Sequence, residues 1–267
     1  MTKDGMSITK AIGGNSYTLV VPSASPWPVS LAKNILTLVA APLIVPSLMV
    51  SSILMSTSLR NKLISIFVPW FMGKVDGLFS KERSILLRTI GPETSVLDVG
   101  SGGGAYLAYC QSAKRVVAVE PVKEMHHKIR HAGKNLRELT TVSDLQDLNE
   151  EESFDFCILG NVLCEVPNVD STLQQIDRHL KPGAMVYFSE HIGRPKGTWQ
   201  RWIQNTINPW YCHTSGGCNC NRDSLQSLQR MGNWNIIYWT FGNVQVVLGP
   251  MVLGLAVKDR HENTPTT

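Results

Sequence analysis

Residues 96–104 read Val-Leu-Asp-Val-Gly-Ser-Gly-Gly-Gly, and this run restricts the fold more than any other in the chain. An apolar β stretch leads into a glycine turn, and a helical pattern follows from Ala105. Glycine reaches φ > 0 without a Cβ penalty and lets a ligand approach the backbone closely. A helix that opens after such a turn presents unpaired N–H groups to the polar end of that ligand. Glu120 closes the next β run, where a carboxylate can accept both ribose hydroxyls of an adenosine group. Turn glycines alone would explain the loop. Loop and carboxylate on successive strand ends together indicate an adenosine site.

From Ser95 onward, β and helical patterns alternate. The β runs are Val96–Val99, Val116–Val119, Phe154–Leu159 and Met185–Ser189, and the helical ones Ala105–Gln111, Lys123–Ala132 and Ser171–Leu180. Such alternation predicts a parallel sheet with helices on both faces. After Glu190 comes a polar, Trp-rich insertion, then a helical pattern at Asp223–Arg230 and two late β runs, Asn235–Phe241 and Val246–Val257. The expected fold class is therefore α/β: a Rossmann-like, doubly wound, mostly parallel seven-stranded sheet closed by a C-terminal antiparallel hairpin. It occupies residues 73–258, with a polar tail at 259–267 and no internal repeat.

The N-terminal third has a different character. Residues 1–33 read as a loop-like extension, with Gly13-Gly14 and Pro26-Trp27-Pro28. Asn34 to Leu59 then contains no charged residue. About 20 apolar residues suffice to cross the ~30 Å hydrocarbon core. Pro42 and Pro46 would kink such a helix, so the stretch fits a span or a bent segment dipping into one leaflet. Residues 34–72 are expected to anchor the chain to membrane lipid, although a buried core helix has the same composition. Hydrophobic residues make up 43% of the chain and the net charge is +4. That suffices for a core, and the charge is too diffuse for nucleic acid. Six cysteines in a domain that needs no staples imply a reducing environment.

The glycine spacing also satisfies a dinucleotide pattern. Asp98 two residues before the first glycine, the additional Gly104 and the late strand hairpin favour S-adenosylmethionine instead. On these residues the chain resembles the class I methyltransferases: VLDVGSGGG is similar to their first motif, VVAVEP to their second, SFDFCILGNVLCEV to the fourth-strand motif and LKPGAMVYFSEH to the fifth. Within them it looks most like the membrane-bound alkyl-thiol S-methyltransferases of the endoplasmic reticulum and lipid droplets. The KERS helix, NVLCEV, the SEHI and GTW segments and HTSGGCNCNR carry that likeness. Asn219 departs from the pattern by separating Cys218 from Cys220. The resemblance implies S-adenosyl-L-methionine as cofactor. Asp98, Gly100, Gly102 and Gly104 would hold its methionine end and Glu120 its ribose. Pro121, Asp144 and Leu145 would lie at the adenine, and Asn161 would face the transferable methyl.

The expected acceptor is a small lipophilic molecule, preferably an alkyl thiol, with His213 and then His191 as candidate bases. Methylation at carbon or oxygen of a lipid or quinone-like ring is the alternative, and a non-catalytic membrane scaffold is the rival of another class. Cys212, His213, Cys218 and Cys220 cluster in sequence, but their spacing matches no common zinc framework, so no metal is expected. The resemblance places the chain at the endoplasmic reticulum membrane or lipid droplet, its catalytic domain facing the cytosol.

Overall fold

The computed structural model describes residues 6–12, 15–21, 79–245 and 249–260. Strands β1 (Met6–Ile12) and β2 (Asn15–Val21) pair antiparallel as a separate two-stranded sheet, with Ile12 opposite Asn15. The extension expected to be loop-like thus contains a hairpin. Its physical signal was present: β-branched residues in both runs, Tyr17 in the second, and Gly13-Gly14 between them, a dipeptide suited to a two-residue connection. The anchoring segment expected at 34–72 lies outside the described residues. Among the described residues, no helix is long and apolar enough to cross a membrane.

The main sheet contains β3 (Ser95–Val99), β4 (Arg115–Val119), β5 (Leu139–Val142), β6 (Phe154–Gly160), β7 (Leu180–His191), β8 (Trp234–Gln245) and β9 (Gly249–Lys258). Their order is β5-β4-β3-β6-β7-β9-β8. β3 to β7 pair in parallel, and β9 lies antiparallel between β7 and β8. The chain winds outward from β3 to β5, then restarts at β6 on the other side of β3. That reversal opens a crevice at the carboxyl ends of β3 and β6, where ligands bind in sheets of this type.

Alternating strand residues feed two cores. Leu97, Val99, Cys157, Leu159, Val186 and Phe188 pack on one face with Leu173 and Ile176 of helix α3 (Val169–Arg178). Val96, Phe156, Ile158 and Tyr187 pack on the other with Leu86 and Leu87 of α1 (Ser80–Leu87) and Ile129 of α2 (His126–Ala132). Burial on both faces explains why these strands are continuous apolar runs. α3 starts at Asn168, whose side chain accepts the Ser171 N–H. Asp177 near its end accepts from Trp234 Nε1 at 2.6 Å and from Asn233 Nδ2, and pairs with Lys258 at 3.2 Å, which fastens the C-terminal strands to α3.

Several expectations shift. Ala105–Cys110 is 3₁₀ rather than α-helical. Leu139–Val142, a short Thr-rich run not anticipated as a strand, forms the edge. Leu180 begins β7 instead of ending α3. The Trp-rich insertion contains helix α4 (Trp199–Thr214), capped by Thr198 and carrying Pro209 internally, before α5 (Ser224–Arg230).

Candidate active site

The glycine loop leans on the neighbouring strand: Gly100 and Ser101 N–H both donate to the Val119 carbonyl, at 2.9 and 3.1 Å. Gly100, Gly102 and Gly104 all have positive φ, at 70°, 54° and 81°. A Cβ on Gly100 would meet Val162 Cγ2 at 2.5 Å, and one on Gly104 would meet Leu107 and Ala132. Around Gly102 and Gly103 nothing lies within 4 Å of such an atom. The loop is therefore closed on its protein side and open on its ligand side.

Two carboxylates flank that open face. Glu120 is buried; Oε2 accepts the Gly102 N–H at 2.8 Å and Oε1 the Val122 N–H at 2.9 Å. An ionised carboxylate has about four acceptor positions, so capacity remains for ribose hydroxyls. Asp98 is 1% exposed and accepts from Ser101 Oγ at 2.7 Å. Burial pushes its pKa up to about 6; the Ser101 hydrogen bond pulls it down and the nearby Glu120 adds to the rise. A buried acid beside an open, glycine-lined surface suits a cationic ligand group such as an α-ammonium.

Asn161 follows β6 with φ 58°, in the left-handed region that only glycine enters freely. Its N–H donates to the Ser189 carbonyl, while its Oδ1 is buried without a partner. Strain and an orphaned acceptor at one residue mark a functional position. The next two N–H groups, of Val162 and Leu163, are held by the fully buried Glu190 at 3.0–3.2 Å. Burial pushes Glu190 up to about 8, against the pull of those N–H bonds.

Beyond Asn161 the structure brings together Cys164, His191 and Cys218, three residues not grouped from the sequence. They are 0%, 3% and 5% exposed. Cys218 Sγ lies 3.0 Å from Cys164 Sγ and 3.3 Å from His191 Nδ1, and His191 Nε2 is buried without a partner. The Cys164 thiol holds the Cys218 pKa below the ordinary thiol value, against burial and with help from His191 and Tyr211. The Cys164 pKa is raised by the same hydrogen bond. Asn219 N–H donates to the Cys164 carbonyl and Arg222 to that of Leu163, so the α4–α5 connection is tied to the chain after β6.

Of the other expected site residues, Pro121 and Asp144 are exposed and Leu145 is buried among the core side chains beside them. Asp144 accepts the Gln146 N–H and caps a short turn. His213 is exposed in the last turn of α4, and it stands outside the group that holds His191. Cys220 is turned instead toward Gln204 and Asn208, and Cys212 toward the Gly217 carbonyl. A polar cleft lined by Ser95, Arg115, Glu150 and Lys181 lies at the opposite, amino-terminal ends of the strands. Cys164 lies in an apolar stretch of sequence that gives no sign of a partner. Only the nearness of β6 and β7 in the sheet shows that it meets His191.

A family model described as a methyltransferase domain matches residues 97–188. The N-methyltransferase NodS from Bradyrhizobium japonicum WM9, solved with S-adenosyl-l-homocysteine, superposes with a TM-score of 0.54 at 14% identity. That match covers 75% of this chain and 97% of NodS. Fold, loop and buried acids together define a class I S-adenosylmethionine-dependent methyltransferase. Among curated relatives, thiol S-methyltransferase TMT1B of Rattus norvegicus is 26% identical over 208 residues, covering 68% of this chain and 77% of that protein. Thiol S-methyltransferase TMT1A of Homo sapiens is 28% identical over 172 residues, covering 57% and 66%.

Gly100→Ala tests the loop. The new methyl must occupy the Val162 contact at positive φ, which should cost about 1–3 kcal/mol and weaken cofactor binding. Gly103→Ala, in open space at ordinary φ, should leave thermal stability nearly unchanged. Equal melting temperatures for both variants would show that the loop relaxes freely.

Proposed function

We propose that this chain is a membrane-associated thiol S-methyltransferase acting on small lipophilic thiols. The observation that carries the reading is the buried group of Cys164, His191 and Cys218 next to Asn161. The thiol S-methyltransferase relatives support the same acceptor class.

When bound, S-adenosylmethionine supplies a methyl group on a positively charged sulfur. Asp98 would hold the ammonium of its methionine end and Glu120 the ribose, with Pro121, Asp144 and Leu145 at the adenine. Gly102 and Gly103 leave the backbone room for close approach. Asn161, its N–H committed to Ser189 and the next two N–H groups to Glu190, would present its unpartnered Oδ1 to the methyl-bearing end. Attack by a thiolate on a sulfonium removes both charges. Such a reaction gains from a water-excluding pocket and in-line placement more than from strong acid–base catalysis. A free thiol has a pKa near ~8.5, so only modest activation is needed at neutral pH. Of the two candidate histidines, His191 stands at the strand ends beside Asn161, and sulfur activation is assigned to its cluster rather than to the exposed His213. A pure scaffold would not need the buried Asp98 beside an open loop.

Membrane association rests on the charge-free stretch Asn34–Leu59. Trp199 and Trp202, 51% and 68% exposed on α4, add aromatic side chains of the kind that sit at lipid headgroups. The reducing cytosolic face of the endoplasmic reticulum or a lipid droplet suits six free cysteines.

Three outcomes are expected. In calorimetry, cofactor affinity should be nearly constant from pH about 6 to the region near ~8 where the ligand's own α-ammonium titrates, and below about 6 it should fall, approaching tenfold per pH unit. Asp98 is protonated there in the free protein and must lose that proton to meet the ammonium. Asp98→Asn should bind more weakly with a flat profile, and a flat profile in the native protein would remove Asp98 from the ammonium. With labelled cofactor, detergent-solubilised full-length protein should methylate alkyl thiols and leave phenols and amines nearly untouched. Turnover of phenols or lipids with inert thiols would overturn the acceptor assignment. The full-length chain should also stay with membranes through high salt and alkaline carbonate, whereas release by salt alone would reduce Asn34–Leu59 to a core or peripheral element.

A further inference from the structure

The geometry points to a zinc site at Cys164, His191 and Cys218, whose fourth coordination position takes the acceptor sulfur as thiolate. The inference rests on the thiol-methyltransferase reading and names how that site activates its substrate.

Three elements deliver the ligands: the chain after β6, the last residue of β7 and the α4–α5 connection. The three ligand atoms lie within 4.8 Å of one another, and all three residues are buried. Tetrahedral zinc, with Zn–S near ~2.3 Å and Zn–N near ~2.0 Å, sets its ligand atoms roughly 3.4–3.8 Å apart. His191 Nδ1 at 3.3 Å from Cys218 is close to that spacing, and Cys164 and Cys218 at 3.0 Å would move apart by roughly 0.4–0.8 Å to surround an ion. The backbone already holds the ligands in place, through Asn219 N–H on the Cys164 carbonyl and Arg222 on that of Leu163. Two thiols and an imidazole nitrogen converge on one buried point, with Cys218 Sγ in reach of both Cys164 Sγ and His191 Nδ1. Two thiolates and an imidazole form a soft donor set that selects zinc over magnesium or calcium. Cys₂His with one open position is also the arrangement of catalytic rather than structural zinc.

Cys164 Sγ lies 3.4 Å from the Asn161 carbonyl, so the ion would sit next to the residue expected to face the methyl group. The thiol binds zinc as thiolate and its proton leaves to solvent. A carbon–sulfur bond then forms between that sulfur and the methyl. The methyl–sulfonium bond breaks, and its electron pair stays on the cofactor sulfur, now neutral. The product thioether carries no charge and is a poorer ligand than a thiolate, so it dissociates.

The test uses full-length protein in detergent. Metal analysis should find about one zinc per chain. After chelation, cobalt(II) should restore near-ultraviolet thiolate charge-transfer and the visible bands of a tetrahedral ion. Cys164→Ser, Cys218→Ser and His191→Ala should each weaken cobalt binding by more than the ~10–100-fold that outer partners alone contribute. Cys212→Ser should retain it. Calorimetry with S-adenosylhomocysteine should stay unchanged in every variant, showing that the domain is folded. An alkyl thiol should shift the cobalt bands where the matching alcohol does not. Absence of zinc and cobalt bands with intact cofactor binding would overturn the site and leave the methyltransferase assignment standing. A Cys164–Cys218 disulfide in the metal-free protein would overturn it as well. Cobalt bands indifferent to thiols would make the ion structural and overturn its role toward the acceptor.

Discussion

Loops that leave parallel strands expose backbone N–H groups, and near a ligand those groups cannot all be spent on secondary structure. Two buried carboxylates solve this on either side of the sheet's reversal. Glu120, just past β4, holds Gly102 and Val122, and Glu190, in β7, holds Val162 and Leu163. Each acid sits on the strand neighbouring the one whose loop it fixes. The two loops then meet, since Gly100 packs directly on Val162. Removing Glu190 would leave the buried Val162 and Leu163 N–H groups unpaired, at roughly 1–3 kcal/mol each, beside the loop that Glu120 holds. The positive φ of Asn161 follows from the same constraint: its N–H is committed to Ser189 and the next two to Glu190, so the chain must turn sharply there.

The donor half of the site was legible because its signals are local. A glycine loop and an acid one strand later are read in a single pass along the chain, and Asp98, Gly100, Gly102, Gly104, Glu120 and Asn161 all lie at the carboxyl ends of β3, β4 and β6. Strand identities were equally clear where strands are buried on both faces. Leu139–Val142 escaped because an edge strand of four half-buried residues carries no apolar run. Helix α4 escaped because its polar residues and Pro209 disguise a pattern anchored by Ile207 and Gln204. The cysteine cluster was misgrouped for a different reason. Cys212, His213, Cys218 and Cys220 are neighbours in sequence, but Cys164 and His191 reach Cys218 from elements 54 and 27 residues away.

The two halves also differ in how widely they are shared. The methyltransferase-domain match ends at residue 188, before Glu190 and His191, and excludes the whole α4–α5 connection. A fold common to many chemistries supplies cofactor binding, and the reaction is decided by what is added to it. Here the added part is sulfur-rich, dry and tied to the sheet by Asn219 and Arg222. A thiolate acceptor, as proposed, would lose its charge in the same step that neutralises a sulfonium donor, so burial that penalises separated charge would favour the transfer once the thiolate has formed. That advantage would come from the residues added after β7, and not from the sheet that carries them.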